Sequence, residues 1–162
     1  MRDEATFLIV GEGPEKASLV ELVRRGALES QVLFMDSIAY DDVPRYLSAI
    51  DVLVLPSRGT ARWKEQFGRI LVEAMACGVA VVGSDSGAIP WVIGDAGRVF
   101  REGDIESFVG ELCGLVRDGA ARRALGEAGT ARVLDHFTNS VIARELRSFL
   151  LSQTGARAGV SG

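Results

Sequence analysis

The apolar positions of this chain fall into short unbroken runs separated by longer stretches in which apolar residues recur on one side only. Thr6-Phe7-Leu8-Ile9-Val10 is the first run, and Gly11-Glu12-Gly13-Pro14 stops it. Val32–Met35, Val52–Leu55 and Ala80–Val82 follow, and Val99-Phe100 is a shorter fifth. Behind Pro14, which suits a first helical turn, Ala17, Leu19, Val20, Leu22 and Val23 recur at near-helical spacing. Asp41-Asp42-Val43-Pro44 opens a second helix with acids at its positive end, and Tyr46, Leu47 and Ile50 supply its inner side. A polar stretch over 57–66 precedes a third helix, from about Phe67 to Cys77. Strands that read as continuous apolar runs are covered on both faces, and their alternation with helices implies crossovers and a parallel sheet. The fold class is therefore α/β. After residue 103 the pattern is helical only, over 105–116, 120–137 and 138–151, with Thr138-Asn139-Ser140 as a cap for the last. Residues 152–162 are small and polar and are expected to form a flexible tail.

Composition narrows the function more than the fold. A chain of 162 residues that is 48% hydrophobic and 25% charged suits one domain with a real core and argues against disorder or a disulfide scaffold. Its apolar runs are far shorter than the ~20 residues of a spanning helix. Met1-Arg2-Asp3-Glu4-Ala5 carries no readable secretory signal. The expectation is no membrane span and a cytoplasmic location. Eighteen basic against twenty-two acidic residues give a net charge of −4. Nucleic-acid binding, which favours a basic face, is not expected, and any bound anion must be held by local geometry. Cys77 and Cys113 read as separate buried thiols, and a single histidine, His136, excludes a His-rich zinc centre.

Residues 56–97 carry the chemistry. Gly68, beside a helix start, lets a ligand approach the backbone closely. The first helical N–H groups, roughly Gly68 to Leu71, lack intrahelical partners and, with the helix dipole, suit a phosphate. This loop follows the C-terminal end of a parallel strand, where open α/β sheets bind ligands. Glu65 and Glu73 stand eight positions apart; on a continuous helix that is ~80° of offset and a rise of ~12 Å. They cannot share a proton or a metal, but they suit two diols of one extended ligand. Taken alone the same acids read as surface charge, with Arg69 and Glu73 forming an i,i+4 pair. Trp63 and Trp91 flank the segment; Trp63 is a candidate sugar wall, and Trp91, after Pro90, is expected to pack inward. Gly11-x-Gly13 serves a simple tight turn equally well.

The run Glu65-Gln66-Phe67-Gly68-Arg69-Ile70-Leu71-Val72-Glu73-Ala74-Met75-Ala76-Cys77-Gly78 resembles the E-x7-E signature of the family 4, or group 1, retaining glycosyltransferases with the GT-B fold. Phe7–Pro14, Val32–Phe34, Asp51–Ser57 and Val81–Gly87 stand in the family's order around it. The resemblance implies a Rossmann-like, doubly wound, mostly parallel donor-binding lobe over residues 1–151. It further implies that Glu65 holds donor-sugar hydroxyls, with the backbone of Phe67 and Gly68 close to the sugar. Amides of Ile70 and Leu71 would meet the diphosphate, and Glu73 the ribose. Gly11 and Gly13 would let the first turn approach the nucleotide, and the backbone of Phe34 and Met35 would face its base. Neither cofactor nor metal is implied, since the nucleotide diphosphate sugar is the substrate.

Two departures bear on chemistry. Asp36 stands where glycine is common in the family, which places a charge near the base and bears on nucleotide choice. The resemblance also implies a preceding strand and helix with an Arg and a Lys that clamp the diphosphate, and before them an acceptor-binding domain. Neither precedes Phe7 here. In the strand order 3-2-1-4-5-6 the first strand is central, so the sheet is expected to lack its middle. Either the sheet closes over the gap, or an acceptor-domain chain or a second copy fills it, or the sequence is a fragment. The expected function is the donor-binding part of a retaining glycosyltransferase moving sugar to an acceptor hydroxyl. No side chain reads as a catalytic base or nucleophile, and the isolated chain is expected to be inactive. A non-catalytic nucleotide-sugar-binding module, or one half of a split transferase, is the alternative. A Rossmann-like oxidoreductase ranks last, because Lys16 stands where G-x-G-x-x-G needs glycine.

Overall fold

The computed structural model describes residues 5–157. In chain order the strands are β1 (Phe7–Val10), β2 (Val32–Met35), β3 (Val52–Leu55), β4 (Ala80–Ser84) and β5 (Arg98–Phe100). The helices are α1 (Lys16–Arg25), α2 (Val43–Leu47), α3 (Arg69–Ala76), α4 (Ile89–Ile93), α5 (Ile105–Arg117), α6 (Gly119–His136) and α7 (Asn139–Arg157), with a 3-10 turn over Tyr40–Asp42. Every strand pairing is parallel, as the apolar runs imply. The strands form two sheets, β1-β2 and β3-β4-β5, and among the described residues nothing pairs β1 with β3.

β4 carries the core. All five of its residues are buried, and their sides alternate as the pleat demands. Val81 joins a cluster with Leu71 and Met75 of α3, Ile89, Val92 and Ile93 of α4, and Val133 of α6. Ala80 and Val82 face the other way, toward Phe100 and Leu115, where Phe108 of α5 packs on Phe100 with ring centroids 4.9 Å apart. α2 joins the first cluster through Leu47, flanked by Val43 and Ile50. By contrast, α1 buries no residue, and β1 exposes three of its four side chains to a third or more.

The helix starts follow from local chemistry. Asp104 accepts from the Ser107 amide at 2.9 Å and Asp118 from the Ala121 amide at 2.9 Å, so α5 and α6 each begin on a carboxylate cap. Thr138 Oγ1 accepts from the Val141 amide at the head of α7. α7 continues to Arg157, six residues beyond the helical pattern expected to stop at Leu151; residues 158–162, the remainder of the expected tail, lie outside the described residues. α4 has no counterpart in the sequence reading, because five residues are too few to show a helical period.

Candidate functional site

The loop between β3 and α3 is pinned from several sides. Ser84 Oγ at the end of β4 donates to the Ser57 carbonyl at 2.6 Å. The Ser57 hydroxyl in turn donates to Glu65 Oε2 at 3.2 Å, and the Gly68 amide donates to Glu65 Oε1 at 3.1 Å. The Gly59 amide donates to Glu102 Oε1 at 2.7 Å. The Ala88 amide closes on the Glu65 carbonyl at 3.1 Å, and Gly87, at φ 57°, lies so near the Glu65 backbone that a Cβ there would overlap that carbonyl. Glu65 is thus oriented through both carboxylate oxygens, each of which keeps a further lone pair for a hydroxyl.

α3 begins at Arg69, two residues later than the sequence pattern suggests, because Gly68 is left-handed at φ 74° and breaks the helical run. Glu65 therefore lies in the loop ahead of the helix, and the ~80° offset expected from a continuous helix does not describe the two acids. Phe67 is partly exposed beside Gly68. The expected pair of phosphate-facing amides also changes. Leu71 is fully buried and its amide donates to the Gly68 carbonyl at 2.9 Å, whereas no partner is recorded among the described residues for the amides of Arg69 and Ile70. Glu73, one turn on, meets Arg69 Nε at 3.3 Å, and its side chain is 27% exposed. The Arg69 guanidinium stacks over the Tyr40 ring at 5.7 Å, which ties the segment after β2 to the head of α3.

Trp91 does not pack inward. It is 63% exposed and leans edge-on against Phe137, with Phe67 beside both. Its neighbours Pro90 and Val92 belong to α4, whose inner face is taken by Ile89, Val92 and Ile93, and this turns Trp91 to the outside. Arg132 fixes that helix by donating to the Trp91 and Val92 carbonyls at 2.6 and 2.8 Å. Trp63 is half exposed.

The glycine-rich turn after β1 forms a second locus. Gly11, at φ 137°, donates its amide to the Met35 carbonyl at 2.9 Å, which locks the turn to the end of β2. Gly11, Gly13, Ile9, Lys16, Leu19 and Phe34 border a groove of about 270 Å³, to which Glu12 and Glu15 add acidic edges. Lys16, at the head of α1, forms an ion pair with Asp36, the residue after β2. Among the described residues, no cluster of His, Cys, Asp and Glu could hold a metal ion, and no helix is long and apolar enough to cross a membrane. Among the described residues Cys77 and Cys113 form no disulfide, and both are partly exposed rather than fully buried.

Ser57, Ser84, Gly87, Tyr40 and Lys16 escaped the sequence reading as site residues. Each acts through a contact made across the fold, which the local sequence pattern does not encode.

A parallel α/β lobe with a pinned glycine turn at a helix head is the architecture of a Rossmann-like GT-B lobe. The sequence profile described as "Glycosyl transferases group 1" matches residues 1–118, and the chain belongs to that family. It is 36% identical over 141 residues to N-acetyl-alpha-D-glucosaminyl L-malate synthase of Bacillus anthracis, covering 86% of this chain and 35% of that protein. It is 31% identical over 155 residues to a GDP-mannose-dependent monoacylated alpha-(1-6)-phosphatidylinositol monomannoside mannosyltransferase of Corynebacterium glutamicum, covering 94% of this chain and 40% of that one. The C-terminal domain of a group 1 glycosyl transferase (LpcC) from Francisella tularensis superposes with a TM-score of 0.72 at 27% identity, over 83% of this chain and 70% of that domain. The chain thus spans well under half the length of either curated relative.

Proposed function

We propose that this chain is the donor-binding part of a retaining glycosyltransferase, taking a nucleotide diphosphate sugar and presenting it to an acceptor hydroxyl. The observation that carries the reading is the head of α3: two amides without recorded partners, at Arg69 and Ile70, lie between a carboxylate pre-oriented by Ser57 and Gly68 and a second carboxylate at Glu73. A diphosphate suits those amides through hydrogen bonding and the helix dipole together. Leu71 serves as the buried anchor of that turn, with its own amide engaged. Glu65 would accept from the sugar hydroxyls, close to the backbone of Phe67 and Gly68. Glu73 would accept from the ribose diol, and the groove at Gly11, Gly13 and Phe34, beside the Met35 backbone that Gly11 bonds, would take the base.

The names of the relatives span glucosaminyl transfer and GDP-mannose-dependent transfer. They support a nucleotide diphosphate sugar as the class of donor without selecting its sugar. Charge developing on the departing diphosphate is what such a site can stabilise, and the role of Arg69 and Ile70 is electrostatic rather than acid–base. The acceptor would be met by a separate lobe or chain.

Titration calorimetry on the 162-residue chain with UDP and GDP tests this. Both nucleotides, or one, should bind, and Glu73→Gln should weaken binding roughly 10-fold, since a hydrogen bond to a charged group contributes on the order of 1.5–3 kcal/mol. Its unfolding free energy should stay within ~0.5 kcal/mol of the native value, because the partly exposed Arg69–Glu73 pair adds little. No binding at millimolar nucleotide, or binding indifferent to Glu73, would remove the basis for the proposal. With donor and simple sugar acceptors, the same chain should show no measurable transfer; robust turnover would show that the residues present here suffice for catalysis.

A further inference from the structure

The groove beside Gly11 carries an asymmetry that the diphosphate site does not explain. Its charged border is Glu12, Glu15 and Lys16, and the one cation is already paired with Asp36 across the ends of β1 and β2. An acidic border disfavours phosphate here and favours a ligand edge rich in N–H groups. Lys16 and Asp36 together offer an ammonium donor followed by the two oxygens of a carboxylate, a row of one donor and two acceptors. Guanine presents the complementary row along its Watson–Crick edge: O6, N1–H and N2–H. Uracil presents O4, N3–H and O2, so its last carbonyl would oppose a carboxylate oxygen. Adenine offers an amino group beside an unprotonated N1, which again opposes the carboxylate.

We infer that Lys16 and Asp36 select a guanine nucleotide, with Asp36 accepting from N1–H and N2–H and Lys16 donating to O6. This rests on the donor-binding reading above and specifies which donors that site takes. Both side chains are within reach of solvent, at 34% and 64% exposure, so they are accessible to an incoming base. Gly11 and Phe34 border the same groove, and the Gly11–Met35 bond holds the ends of β1 and β2 together and so fixes the spacing between Lys16 and Asp36.

The test uses calorimetry on the full chain with GDP, IDP, UDP and XDP. Hypoxanthine lacks the N2 amino group, and xanthine carries a carbonyl in its place. GDP should bind roughly 10- to 100-fold more tightly than IDP or UDP, the discrimination a bidentate base contact supports. Asp36→Asn should abolish that preference and gain affinity for XDP, because an amide presents one donor and one acceptor where the carboxylate presented two acceptors. A merely structural role for Asp36 would weaken all four nucleotides alike. UDP binding as tightly as GDP, with Glu73→Gln still weakening it, overturns the guanine assignment and leaves the donor-binding reading standing. No binding of any of the four by the folded chain overturns the donor-binding reading itself, and the assignment with it.

Discussion

At the scale of single residues, two glycines and a carboxylate set the geometry of the loop ahead of α3. Gly68 holds φ 74°, and a Cβ there would sit 3.1 Å from Leu71 Cδ1 and 3.2 Å from Leu55 Cδ2. Gly68→Ala should therefore lower stability by about 1–2 kcal/mol, the cost of a left-handed L-residue, and would be read from urea unfolding at unchanged slope. Gly87→Ala should cost more, since its methyl would overlap the Glu65 carbonyl, which is backbone and cannot turn aside. If the two variants proved equally stable to the native chain, the loop would be softer than its hydrogen bonds indicate. Gly68 was legible in the sequence because a glycine beside a helix start is a local signal. The need for glycine at 87 was not, because the obstacle is Glu65, 22 positions away, and no local pattern encodes that encounter.

At the scale of elements, the strands were the most legible feature. The apolar runs at 32–35 and 52–55 are strands with the same ends, and the run at 6–10 is a strand from Phe7, although the cover on both faces that such runs imply is complete in β4 and missing in β1. α3 was legible in its body and misplaced at its head. Leu71, Ala74 and Met75 give the buried face, but nothing in their spacing says that Gly68 interrupts the helix before it. That shift moved Glu65 off the helix and removed Leu71 from the amides free to meet a phosphate. α6 shows how small residues can replace an apolar stripe: its buried positions include Gly126 and Gly129, where a Cβ would meet the Gly78 carbonyl or the Met75 side chain. Thr130 reinforces this contact by donating to the Met75 carbonyl at 3.0 Å. α6 therefore braces α3 from behind through close backbone approach, and α3 in turn carries Ile70 and Glu73.

At the scale of the whole molecule, the two sheets differ in how deeply they are held. β4 has every residue buried between two clusters, whereas β1, α1 and β2 contain no buried residue and no recorded strand pairing to β3. Regions with few buried apolar contacts open at lower free energy than the core. Amide hydrogen exchange should accordingly be fast in residues 7–10 and 32–35 and slow in 80–84. The groove that the proposal assigns to the base lies on the weakly held unit, while the amides it assigns to the diphosphate lie on α3, which packs directly into the core. A ligand bridging the two would be lost when either opens, so it would hold the weaker part against local opening as well as the core against global unfolding. At about 100 times its dissociation constant, a nucleotide should slow local opening by roughly 100-fold, or ~2.7 kcal/mol, wherever that opening destroys the site. The slowing should appear in β1 and β2 and by the same factor in β4, because the global unfolding that exposes β4 also destroys the site. Unchanged exchange in β1 and β2 beside slowed exchange in α3 and β4 would mean that the nucleotide never engages the groove.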